Sequence, residues 1–108
     1  MIIEIEKSEY VKYFPIPPHP FISEKFIDLN SHKVDRIVWL VDDSGTANMG
    51  LIAGVRNGTI SSPFSAPFGG FHFKKDNIYI SEIDRFVKSL EAYAITKEIK
   101  RIEIILPP

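Results

Sequence analysis

The sequence predicts a single α/β domain of the α+β kind, a mixed and mainly antiparallel sheet carrying two short helices and one long helix. Three observations predict it. Short runs of Ile, Val and Leu bounded by turn residues recur along the chain; Asn57-Gly58 joins two of them as a hairpin; and only the stretch after Ser81 holds a long apolar stripe at helical spacing. A chain of 108 residues buries roughly 65% of the surface its unfolded form exposes, enough for one core. Eight Phe, four Tyr and one Trp, within a hydrophobic content of 44%, separate it from disordered sequences.

The first element is a strand, Met1–Glu6, with Ile3 and Ile5 on one face and Glu4 and Glu6 on the other. Ser8 is placed to cap a short helix over Glu9–Phe14, which Pro15, Pro17, Pro18 and Pro20 must end, leaving Phe14–Pro20 as an extended loop. Ser23 then caps a second short helix containing Phe26, Ile27 and Leu29 and closing near Asn30. Asp35–Asp42 is a continuous apolar run between polar ends, which marks a buried strand. A turn at Asp43–Gly45 leads to a strand over Met49–Arg56, whose glycines permit a bulge or a close approach. Asn57 and Gly58 both tolerate the positive φ of a type I′ turn, so Thr59–Ser62 returns antiparallel.

The long helix begins with Ser81 as its N-cap and Asp84 three residues on; Ile83, Val87, Leu90 and Ala94 form its buried stripe, with Phe86 and Tyr93 on the flank. Arg101–Leu106 is the last strand, stopped by Pro107-Pro108. Because a helix separates it from Thr59–Ser62, those two strands are expected to lie side by side in parallel. The last strand is then expected to leave an open edge.

Charge and composition exclude several functions. Thirteen basic against fourteen acidic residues give a net charge of −1, with only small basic pairs at Lys74-Lys75 and Lys100-Arg101. Such a chain has no polyanion-binding face, so neither nucleic acid nor a membrane surface is an expected partner. The sequence contains no cysteine, which removes disulfides, thiolate metal sites and a thiol nucleophile and suits a cytoplasmic protein. No apolar window reaches membrane-spanning length, and the alternating Ile and Glu of the N-terminus do not form a signal peptide.

The most unusual segment is Ser61–Phe73, Ser-Ser-Pro-Phe-Ser-Ala-Pro-Phe-Gly-Gly-Phe-His-Phe. Two readings stay open for it. As a binding loop it would line a groove, with Gly69 and Gly70 letting backbone N–H groups reach a ligand and Ser62, Ser65 and His72 adding polar contacts. As a packing loop it would press its phenylalanines on the core and turn at Gly69-Gly70. His19, His32 and His72 have no metal-ligand spacing, so no metal is expected; His72 is the candidate for acid–base work. Neither Ser62 nor Ser65 sits in a nucleophile elbow. Asp42-Asp43 is read as part of a turn, because adjacent strand residues point to opposite faces.

The order β-α-α-β-β-β-α-β, with Ser62-Pro-Phe-Ser-Ala-Pro-Phe-Gly-Gly-Phe71 and the terminal Ile104–Pro108, resembles the N-terminal part of GNAT-type acyltransferases, in particular their FemAB-like branch. The resemblance implies that residues 1–108 are one domain, the N-terminal lobe of a longer N-acyltransferase. In that superfamily the fourth strand receives the acyl thioester, and the loop after it holds coenzyme A at a helix N-terminus. The residues in that place here are Ser62–Phe73, which depart from the family's usual loop of Gln or Arg followed by Gly-x-Gly or Gly-x-Ala.

The implied role is therefore a lobe that shapes an acceptor or substrate groove, with Ser62, Phe64, Ser65, Phe68, Gly69 and Gly70 as its wall and acyl-CoA as cofactor of the complete protein. Chemistry would come largely from a C-terminal acyltransferase lobe. If transfer occurred in this chain, an amine would attack the thioester directly, with strand backbone holding the oxyanion and His72 as base. The alternative expectation is a non-enzymatic interaction module that pairs with another chain, or with itself, along the last strand.

Overall fold

The computed structural model describes residues 1–43, 48–74 and 80–108. The elements run β1 (Ile2–Glu4), α1 (Lys7–Tyr13), α2 (Glu24–Leu29), β2 (Arg36–Asp42), β3 (Met49–Arg56), β4 (Thr59–Ser62), β5 (Phe71–Phe73), α3 (Ile80–Thr96) and β6 (Arg101–Ile104), with 3₁₀ turns at Pro20–Ile22 and Ser31–Lys33. They form one six-stranded sheet in the order β1-β2-β3-β4-β6, with β5 also on β3. Every pairing is antiparallel except the parallel pair β4 and β6. The fold is thus the mixed, mainly antiparallel α+β arrangement the sequence predicts, down to that parallel neighbour.

Two cores lie on opposite faces of the sheet. α3 covers one, packing Phe86, Leu90 and Tyr93 on Val38, Leu40, Leu51, Ala53 and Ile60. α1 and α2 cover the other, where Tyr10, Phe14 and Ile27 meet Trp39, Val41 and Ile52. Residues 38–41 of β2 feed both faces in alternation, which is why the run is apolar throughout. Asn57 and Gly58 take φ values of 50° and 76°, the left-handed pair the β3–β4 hairpin requires. Gly50 and Gly54 provide close approach: a Cβ on Gly50 would lie 2.6 Å from the Tyr10 hydroxyl, and one on Gly54 2.5 Å from Val34.

Several elements differ from the sequence expectation. α1 starts at Lys7, with Glu6 in the cap position and making no side-chain cap bond, so Ser8 lies inside the first turn. Ser23 does cap α2, accepting from the Phe26 N–H at 3.3 Å, and Asn30 closes it. In β1 the buried residue is Ile2 and Ile3 is 37% exposed, because α3 covers the face carrying Ile2.

The α3 stripe centres on Phe86, Leu90, Tyr93 and Ala94, with Ile83 and Val87 at its margin. Ser81 is the second residue of α3, so it is not the cap; the residue before Ile80 lies outside the described set. So do residues 44 and 45 of the expected turn and Lys75 of the basic pair. Among the described residues no helix is long and apolar enough to cross a membrane.

The main departure is β5. β2 occupies one edge of β3, so β4 and β5 share the other: Gly54–Arg56 pair with β4 and Met49–Leu51 with β5. The chain therefore leaves the sheet after Ser62, makes an excursion over residues 63–70, and returns to the same edge at Phe71. The unusual segment is an interrupted strand with a looped-out middle, where the sequence suggested one continuous loop.

Candidate functional site

The excursion is held by its own backbone. Its first peptide, Ser62–Pro63, is cis. The buried Ser62 Oγ accepts from the Gly70 N–H at 3.0 Å. The Gly69 N–H donates to the Ile105 carbonyl at 2.8 Å, and the Ile105 N–H to the Ser62 carbonyl at 2.9 Å. The two glycine N–H groups that a binding loop would aim at a ligand are thus engaged inside the protein. Gly69 is needed for space, since a Cβ there would lie 2.5 Å from Ser62 Oγ and 2.7 Å from the Pro63 nitrogen; Gly70 is needed for its φ of 109°.

The side chains of the excursion turn toward the α1–α2 face. Phe64 joins that core and lies over Gly54. Ser65 Oγ donates to Asn30 Oδ1 at 3.2 Å and accepts from Lys33 Nζ. Phe68 meets His19 and Phe21 edge-on, at centroid separations of 4.8 and 5.0 Å. His19 Nε2–H donates to the Gly69 carbonyl at 3.1 Å, while its buried Nδ1 has no hydrogen-bond partner among the described residues. Ser62, Phe64, Ser65, Phe68, Gly69 and Gly70 are therefore brought together as a packed bracket, and the hollow between Phe21, Phe26, Ser62 and Phe64 is only about 10 Å³.

His72 belongs elsewhere. It sits in β5, 3% exposed, opposite Gly50, with its ring against Tyr10 and Phe14. Burial, with a smaller effect of the charge on His19, lowers its pKa to about 4 against the opposing pull of the Ile22 backbone. Burial also raises the Tyr10 pKa well above its usual value. Both groups are thus neutral at physiological pH. The Tyr10 hydroxyl donates to the neutral His72 ring at Nδ1, at 2.8 Å. Neutral, buried and tied to Tyr10 through Nδ1, the imidazole is a structural link rather than a ready base.

Beside this pair lies a pocket of about 210 Å³ lined by Tyr10, Phe14, Pro17, Trp39, Ile52 and His72, with Glu24 and Lys25 at its rim. Across Phe14 and Pro15 a second hollow, of about 480 Å³, runs between Tyr13, Pro18, Phe73 and Lys74. The proline segment that ends α1 forms a wall of both. Together they make a trough that is mainly apolar beside Trp39 and about half polar toward Lys74, with Glu24 and Lys25 at its margin.

Of the residues singled out in the sequence, His72 alone lines the smaller pocket and none lines the other. Tyr10, Phe14 and Trp39 were not foreseen as site residues, because each reads locally as core; the run of prolines after Phe14 was the available signal. Among the described residues no group of three or more His, Asp or Glu could hold a metal ion. Comparisons with protein families, with curated proteins and with solved structures found no match to this chain.

Proposed function

We propose that this chain is a GNAT-like, FemAB-type lobe that shapes an acceptor groove, with acyl-transfer chemistry supplied largely by residues outside it. The observation that carries this reading is the closed seam between β4 and β6. An acyl-transfer site of this kind needs free backbone on the fourth strand to receive the thioester. Here β4 is bonded to β3 on one edge and to β6 on the other, and Gly69 and Ile105 extend the seam past Ser62.

The open space next to His72 lies on the α1–α2 face, in the trough beside Tyr10, Trp39 and the prolines, and a separate hollow of about 600 Å³ lies between β1 and α3. The lining beside Trp39 favours an acceptor with an apolar body, and Glu24 at the rim, which also faces Lys7 at 3.8 Å, favours an amine on it. The absence of cysteine fits a cytoplasmic setting. Acyl-CoA is then the cofactor of the complete enzyme, bound by its other lobe.

Trp39 is the single tryptophan of the chain and lines the pocket, so its emission reports occupancy directly. Titration with amine-bearing acceptors, from free amino acids to short lysine peptides, is expected to give a saturable change for at least one. Val11 also lines the pocket, and Val11→Phe, which fills it, is expected to abolish that change. An unresponsive Trp39 across the set, or a response unaltered by Val11→Phe, overturns the assignment of the groove.

A further inference from the structure

We infer that β6 pairs antiparallel with β6 of a second copy of this chain, about a two-fold axis at Ile102. The inference is independent of the groove proposed above. No described strand lies beyond β6 in the sheet. In a parallel ladder alternate residues bond to the same neighbour. The Arg101 and Ile105 N–H groups point at β4, reaching the Gly58 and Ser62 carbonyls at 3.3 and 2.9 Å. The intervening Ile102 and Ile104 therefore turn their N–H and C=O groups to the free edge, a template for another strand.

The side chains select both partner and register. Arg101 and Glu103 share one face, 3.1 Å apart, with side-chain exposures of 70% and 45%. An isologous pair centred on Ile102 sets Arg101 of each copy opposite Glu103 of the other and lets the two Ile102 residues exchange backbone bonds. Centring on Glu103 or Arg101 would oppose like charges. Centring on Ile104 would set Arg101 opposite Pro107 and Glu103 opposite Ile105, leaving both charges without an opposite partner across the pair. The ladder ends at Lys100, whose N–H is committed to the Gly58 carbonyl at 2.8 Å. The opposite sheet edge, β1, is only three residues long.

Sedimentation velocity over a wide concentration series tests this with Arg101→Glu, Glu103→Arg and their equimolar mixture. Wild-type chain should form dimers. Each single variant sets like charges across both symmetry-related pairs and should dimerise roughly tenfold more weakly. In the mixture an all-acidic edge meets an all-basic one, so heterodimers should recover wild-type affinity to within about threefold. The Ile102 and Ile104 amides should exchange more slowly with deuterium as wild-type concentration rises. Should a variant lose its far-UV circular dichroism, Arg101→Gln and Glu103→Gln replace it, with weakening of roughly threefold expected. Monomer at all concentrations, chains longer than dimers, wild-type affinity in Arg101→Glu, or a mixture no tighter than its components would each overturn the inference.

Discussion

The Tyr10 hydroxyl donates to His72 Nδ1 at 2.8 Å inside the protein, tying α1 to β5 across a sequence separation of 62 residues. The link is made between two neutral groups, and its dependence on pH follows from the histidine. In the folded chain the pKa of His72 is lowered from 6.5 to about 4. Between those values the unfolded chain takes up a proton that the folded one refuses. The contribution of His72 is therefore fully present above pH 6.5, falls as pH drops below it, and levels off near pH 4, amounting to about 3 kcal/mol at most. Urea unfolding at pH 7.5 and at pH 4.5 should show this loss, and His72→Gln should flatten it. An equal loss in the variant would place the sensitivity elsewhere.

Removing the other partner tests the same link. Tyr10→Phe keeps the ring and its contacts with Phe14 and Trp39 but leaves Nδ1 without its donor. The cost should be about 1–3 kcal/mol at neutral pH, the range for stranding a buried polar atom. A neutral substitution would mean that the hydroxyl is not the donor.

The excursion predicts a contrast between two glycines. Gly69→Ala must push a Cβ into Ser62 Oγ and the Pro63 backbone and should cost about 3 kcal/mol, whereas Gly58→Ala meets nothing nearer than Lys100 Cγ at 4.0 Å. Gly58→Ala should cost only about 1 kcal/mol, for its positive φ. Thermal melts of the two variants should order them this way.

Phe64 and Phe68 separate by where they pack. Phe64 belongs to the α1–α2 core and Phe64→Ala should cost about 2 kcal/mol, short of a fully buried phenylalanine because it is half-buried. Phe68 contributes mainly edge-on contacts with His19 and Phe21, so Phe68→Ala should cost about 1 kcal/mol. Neither should alter the Trp39 response to an acceptor, because neither lines the trough.

The elements whose signal is local were legible from the chain alone. The Asn57-Gly58 turn, the Ser23 cap and the buried run of β2 each follow from a few neighbouring residues and stand as expected. The parallel β4–β6 pair followed from the helix between them. What escaped depends on contacts distant in sequence. Phe71-His-Phe73 is too short and aromatic to announce a strand, and it becomes one because β3 has a free edge to offer at Met49–Leu51. His72 is buried because Tyr10 and Phe14 lie over it, and nothing near His72 in the sequence carries that information. Phe86 and Tyr93 belong to the core because of how α3 rolls on the sheet, a rotation that its apolar spacing leaves open by one residue.

The closed β4–β6 seam is the ground for separating groove from cofactor, and calorimetric titration of the chain with acetyl-CoA tests that separation most directly. The account predicts no saturable heat. Micromolar binding of acetyl-CoA by residues 1–108 alone would contradict it, and would return the run from Ser61 to Phe73 to the role of a cofactor loop.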